Sequence, residues 1–253
     1  MKFLCIKKKH IKYVLIIGLT MVLLALNING TSAEVYFGIA PRLVPIYSVN
    51  TEEKKVAISF DSAWGADKTL KIIETLKQYE VEATFFLVGF WVEKYPDMVK
   101  AIQDAGLEIG THSNTHPDFV KLSQEQMQKE LTTSMKLICD ITGSNPTLFR
   151  APYGSYNNTL INTANSLNLK TIQWDVDTLD WKGLSGIEIC NRVLNKVKEG
   201  SIILCHNNSD HILDALPLML DRLKLKGYKV TSVGNLIYQE NYYIDSLGAQ
   251  HKN

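Results

Sequence analysis

From Val56 onward the chain repeats one short unit: an apolar run of strand length, a turn, a stretch with helical spacing, and another turn. The strand-like runs lie at residues 56–60, 83–88, 108–111, 147–150, 170–176, 201–205 and 228–233. Between them, helical spacing covers 67–79, where Leu70, Ile73 and Leu76 recur, and then 92–105, 123–142, 158–167, 187–198 and 212–225. Gly106, Gly200 and Gly227 stop helices, and Ser123 with Gln126 three residues on forms a capping box. About seven β-then-α units with short connections call for parallel strands under helices, apolar on both faces. The number of units, and the lack of a glycine-rich nucleotide loop after the first strand, favour a closed or nearly closed barrel over a doubly wound sheet. Chemistry in such barrels sits at the C-terminal ends of the strands.

Composition sets the frame around this unit. At 253 residues, 45% hydrophobic and 21% charged, the chain suits one globular domain plus a short extra segment. A net charge of +1 gives no global field, so no nucleic-acid partner is implied. Lys2, Lys7, Lys8, Lys9 and Lys12 precede an apolar run at 13–28. That pattern reads as an export signal over residues 1–33, with Thr31-Ser32-Ala33 as a small-residue cleavage site. The run of about 16 residues is short of the ~20 of a relaxed span, and a retained N-terminal membrane anchor is the alternative. Either way the rest of the chain is expected outside the cytoplasmic membrane. Residues 34–54 read as a lead-in and 55–238 as the domain. Residues 239–253 read as a polar tail, loosely attached. Cys139 and Cys190 are expected as small apolar residues on helices and Cys205 as strand interior, with no disulfide framework. No protein partner is inferred.

Polar clusters follow the strands. Asp61 leads into Ser62-Ala63-Trp64-Gly65 after the first, and His112 and His116 follow the third. Arg150 opens Ala151-Pro152-Tyr153-Gly154 after the fourth. Asp175, Asp177, Asp180 and Trp181 follow the fifth, and His206, Asn207 and Asn208 end the sixth. Each has an ordinary explanation alone: a capping carboxylate, a satisfied histidine, a surface arginine, a packed tryptophan. Five clusters on one rim point instead to metal-assisted hydrolysis. Two histidines four apart can share a metal through neutral imidazole nitrogens. The metal would polarise a carbonyl and activate water. Asp61 is the candidate general base and His206 the acid for a leaving amine. Arg150 would hold Asp61, with Asp180 steadying the arginine. A backbone N–H near Tyr153 would serve an oxyanion. Trp64 and Trp181 offer flat faces for sugar rings.

These motifs resemble those of polysaccharide deacetylases with the NodB-homology domain. The resemblance rests on Phe60-Asp61, the histidines of 112–116, Arg150 to Gly154, Asp177-Thr178-Leu179-Asp180-Trp181 and Leu204-Cys205-His206, in that order, across residues 55–235. It implies a single-domain distorted (β/α)₇ barrel that removes acetyl groups from N-acetylated sugars of peptidoglycan or a related wall glycan. It also implies metal ligands at His112 and His116, and Tyr153, Trp181, Trp64 and Leu204 against substrate. Zinc is the first expectation for the ion, with cobalt or nickel as alternatives. The stretch at 59–65 is most similar to the sporulation-associated branch of spore-forming Gram-positive bacteria. One position departs from the pattern: where the family's second aspartate completes the metal's ligands, this chain has Ser62, whose neutral hydroxyl is a far weaker donor. Asp177 and Asp67 are candidate substitutes. The alternative function is therefore a glycan-binding protein on the same fold, weakly active or inactive.

Overall fold

A computed structural model describes residues 8–27 and 41–253. The basic and apolar N-terminus forms a helix, α1 (Lys8–Asn27), on which Leu15, Ile17 and Leu19 are exposed. Its uncharged stretch begins only after Lys12, and among the described residues no helix is long and apolar enough to cross a membrane. The candidate cleavage site at Thr31-Ser32-Ala33 lies outside the described residues.

Residues 43–253 form a separate compact unit. Its central strand is β2 (Lys55–Ser62), preceded by the short β1 (Ser48–Val49). Alternation along β2 decides the layers. Val56, Ile58 and Phe60 pack with Ile72 and Leu76 of α2 (Thr69–Gln78), whereas Ala57 packs with Ile172 and Ile202 on the opposite face. Both faces are buried, as a parallel sheet under helices requires.

After α2 come β3 (Thr84–Leu87), α3 (Gly89–Lys94), α4 (Pro96–Asp104) and β4 (Glu108–Thr111). The single helix expected over 92–105 is two, because Pro96 pushes Tyr95 out of helical conformation (φ −129°, ψ 54°). The capping box of Ser123 and Gln126 opens α5 (Gln124–Thr142), and β5 (Leu148–Phe149) and α6 (Asn158–Ser166) follow.

The strand expected over 170–176 is also divided, into β6 (Lys170–Thr171) and β7 (Val176–Asp177). Next come α7 (Gly186–Leu194), β8 (Ile202–His206), α8 (Ile212–Leu225), β9 (Lys229–Thr231) and α9 (Val233–Leu236). The parallel sheet runs β6-β5-β4-β3-β2-β8-β7, with β9 on the first residues of β2. Its two ends are therefore consecutive pieces of one segment. The chain leaves β5 after Thr171, bonds the lead-in residue Ile46 through Gln173 N–H (2.7 Å), and rejoins the sheet beside β8. Bridging the gap splits the strand and gives the distorted seven-unit barrel.

The tail is not loose. β10 (Tyr242–Ile244) and β11 (Ala249–Lys252) form a three-stranded sheet with β1. Gln250 is fully buried; its Oε1 accepts from the Tyr238 N–H and its Nε2 donates to the Tyr238 carbonyl, both at 2.8 Å. Strands of only three or four residues, Tyr242-Tyr243-Ile244 and Ala249-Gln250-His251-Lys252, are too short to show a clear alternation. The thiols of Cys139 on α5, Cys190 on α7 and Cys205 on β8 are all free.

Candidate active site

Strand register builds the site. Asp61 is the Cα partner of His206 on β8 and of Phe86 on β3. The N–H of His112 bonds the Leu87 carbonyl (2.8 Å), and that of Arg150 bonds the Thr111 carbonyl (3.0 Å). Asp61, His112, Arg150 and His206 thus meet in one layer at the C-terminal ends of their strands.

Arg150 is fully buried. Its Nη1 donates to Asp61 Oδ1 at 2.8 Å, its Nη2 donates to the Gln173 carbonyl at 3.2 Å, and its guanidinium lies 4.1 Å from the centre of the Phe86 ring. Burial alone would raise the Asp61 pKa, but the positive charge of Arg150, aided by His112 and His206, holds this carboxyl below its ordinary range.

Asp180 does something other than steady the arginine. Its Oδ1 faces His206 Nδ1 at 2.7 Å, and its Oδ2 accepts from the His206 backbone N–H (2.8 Å) and Ser209 Oγ (3.0 Å). The 3₁₀ turn at 180–182 delivers it beside β8, while the arginine's Nη2 donates to a backbone carbonyl and its buried Nε has no hydrogen-bond partner. Burial pushes His206 down, but the hydrogen bond and charge of Asp180 outweigh it, and the imidazole's pKa is raised. One strand pair therefore carries an ionised carboxylate and, opposite it, a ring that favours its proton.

His112 Nδ1 lies 2.8 Å from the Arg150 carbonyl, which can only accept, so that nitrogen carries the proton. In the neutral ring Nε2 is then an acceptor, and it faces Asp61 Oδ2 across 3.5 Å. Burial holds the His112 pKa low despite Asp61, so the ring resists the second proton that would fill this gap. His116 is pushed down to about 4, first by burial and then by His112, leaving it neutral at pH 7. Its Nδ1 and the Ser62 Oγ are buried without partners. Unsatisfied buried polar atoms at this rim fit a bound ion. The fit is partial: among the described residues no three His, Cys, Asp or Glu side chains stand grouped as a metal cage. Ser62 follows Asp61 at the end of β2 and is fully buried. Asp177 lines the mouth, its Oδ1 accepting from the Leu179 N–H (2.8 Å). Asp67 is exposed and away from the mouth.

The mouth is a cavity of about 670 Å³. Trp64, Tyr153 and Trp181 stand 64%, 70% and 60% exposed around it, and Leu204 lies in its wall. The His116 ring sits between Trp64 (4.8 Å) and Tyr153 (4.7 Å), both edge-on. Ser113, His116, Tyr153 and Leu179 all hold positive φ without being glycine, backbone strain of the kind that gathers at functional sites. Sequence reading missed Ser209, Gln173 and Glu130. Ser209 had a weak signal, three residues beyond His206; Gln173 lies in the break between β6 and β7 and Glu130 within α5, neither with a signal of its own.

Residues 48–172 match the family model described as "Polysaccharide deacetylase". A peptidoglycan-N-acetylglucosamine deacetylase of Bacillus cereus is 35% identical over 186 residues, 72% of this chain and 68% of that protein. The peptidoglycan-N-acetylmuramic acid deacetylase PdaA of Bacillus subtilis is 30% identical over 205 residues, 79% and 78% of the two chains. A solved CE4-family pseudoenzyme of Bacillus anthracis superposes with a TM-score of 0.76 at 32% identity, covering 88% of this chain and 77% of that one. The chain belongs to the polysaccharide deacetylase family, with a serine at the second position of its first motif.

Proposed function

We propose that this protein removes N-acetyl groups from a peptidoglycan glycan outside the cytoplasmic membrane, exported by its N-terminal segment and acting in sporulation. The observation that carries the chemistry is the opposed pair on neighbouring strands, Asp61 held ionised by Arg150 and His206 held protonated by Asp180. Asp61 takes a proton from water as the water oxygen bonds to the acetyl carbonyl carbon. His206 gives its proton to the sugar nitrogen as the carbon–nitrogen bond breaks, leaving acetate and an amine. A divalent ion held by His112 and His116, zinc before cobalt or nickel, would supply Lewis acidity at the carbonyl. Trp64, Tyr153 and Trp181 present apolar faces to the sugar rings, and Leu204 closes the wall behind the acetyl methyl. The relatives' printed activities, on glucosamine in one and muramic acid in the other, support peptidoglycan as the substrate class.

Ser62 favours a second reading, a glycan binder with little or no turnover. A neutral hydroxyl replaces a charged ligand while the aromatic rim is intact, and a pseudoenzyme is among the similar structures. His206→Ala separates the two. As an enzyme, the protein loses acetate release in that variant and keeps its affinity for N-acetylglucosamine oligomers. Wild-type turnover in His206→Ala contradicts the assignment of the acid, and wild-type protein that binds oligomers without releasing acetate establishes the second reading.

A further inference from the structure

The loop joining the two histidines is held from outside the site by one carboxylate. Glu130 projects from the middle of α5, and its Oε2 accepts from the backbone N–H groups of Asn114 (3.0 Å) and Thr115 (2.8 Å). Its Oε1 accepts from Thr115 Oγ1 at 2.8 Å. All three bonds fall between His112 and His116. Within that loop Ser113 (φ 76°) and His116 (φ 59°) are left-handed, a conformation costing ~1–3 kcal/mol in a non-glycine residue unless its surroundings impose it. On the other side the first N–H groups of α3 bond the Ser113 and Asn114 carbonyls, at 2.9 and 3.2 Å. Gly89 permits this approach, since a Cβ there would overlap Asn114.

We propose that Glu130 is a positioning residue for the histidine pair: it imposes the left-handed loop and so sets the spacing and tilt of His112 and His116. The inference rests on the metal-binding reading of that pair, and it extends to the rim, because His116 also separates Trp64 from Tyr153. Bonds to an ionised acceptor are worth roughly twice those between neutral groups. They are well suited to oppose strain in a loop with no apolar anchor of its own. Ordinary fold support would act on stability alone; a positioning role acts on the histidines.

The test uses the full-length protein with Glu130→Ala and Glu130→Gln. In Glu130→Gln the amide oxygen can still accept both backbone N–H groups while its NH₂ donates to the Thr115 hydroxyl, so this variant should keep the loop. Zinc affinity is measured by competition with a chromophoric chelator, and exchange of the Asn114 and Thr115 amides is followed without metal. In Glu130→Ala, zinc affinity falls ~10- to 100-fold, as for losses of groups that orient metal ligands. Exchange at both amides rises on the order of tenfold. Glu130→Gln restores both to near wild type. Wild-type exchange rates in Glu130→Ala overturn the proposal whatever zinc does, and so does unchanged zinc affinity in a protein that binds zinc. Wild-type protein that takes up no zinc, yet shows the exchange response and its rescue, removes the metal reading and leaves the clamp standing.

Discussion

Replacing Arg150 by methionine isolates the contact on which the charge state of Asp61 depends. The change removes the 2.8 Å bond to Asp61 and the 3.2 Å bond to the Gln173 carbonyl, and leaves an apolar chain of similar reach over Phe86. Asp61 is only 6% exposed, so its charge would be left buried without its main counterion. Breaking such a pair costs ~3–5 kcal/mol. At ~2–4 °C per kcal/mol for a domain of this size, the melting temperature at pH 7 should fall by ~6–20 °C. The sign of the pH dependence follows from Asp61, whose folded pKa is depressed. Its contribution is full above its unfolded value of ~3.9 and is lost as pH falls through the folded value. In Arg150→Met burial goes largely unopposed, Asp61 protonates more readily, and the deficit against wild type narrows as pH is lowered. Thermal melts of wild type, Arg150→Met, Asp61→Asn and the double variant from pH 4 to 8 give the coupling directly. The double variant should be destabilised by less than the sum of the singles, by on the order of 1–3 kcal/mol. Additive losses, or a deficit that does not change with pH, would refute the claim that Arg150 acts through the Asp61 carboxylate.

Three other perturbations bear on the account. Ser62→Asp buries a carboxylate where an unpartnered hydroxyl stands, so melting with chelator present should drop, and zinc should bind at least ~10-fold tighter than to wild type and recover the loss; unchanged zinc affinity would show that this position does not face the ion. Asp180→Asn removes the group that raises His206, so burial prevails and the high-pH limb of acetate release moves to lower pH; a limb that stays in place separates Asp180 from the acid. Truncation after Tyr238 deletes Gln250 and two strands of the small sheet, and should lower the melting temperature, at ~2–4 °C for each kcal/mol lost; wild-type melting would contradict the tail's structural role.

Much of the barrel was legible because its strands are buried on both faces, which leaves continuous apolar runs at 56–60, 83–88 and 201–205. The layer of Asp61, His112, Arg150 and His206 was legible for the same reason, since each ends or follows such a run. The break between β6 and β7 was not, because the residues from Ile172 to Asp175 are as apolar and strand-like as their neighbours and the division comes from closing the sheet. Asp180 was placed on the wrong partner: spacing puts it near both Arg150 and His206, and only the turn at 180–182 decides. Glu130 is one acidic residue among many on an amphipathic helix, and its role depends on a loop folding back over α5. The tail's strands are too short to carry a periodic signal, and the buried Gln250 and the contact of Ile244 with the core become visible only once the chain is folded.

The central claim is that Asp61 and His206 form a working base and acid for amide hydrolysis on a wall glycan. Its most direct measurement is acetate released from N-acetylglucosamine oligomers and from peptidoglycan by the protein with zinc or cobalt supplied, beside Asp61→Asn. The account predicts release by wild type, with one new amine per acetate, and none in Asp61→Asn. No release with either metal, while the oligomers still bind, would contradict it and leave the protein a glycan binder on a deacetylase fold.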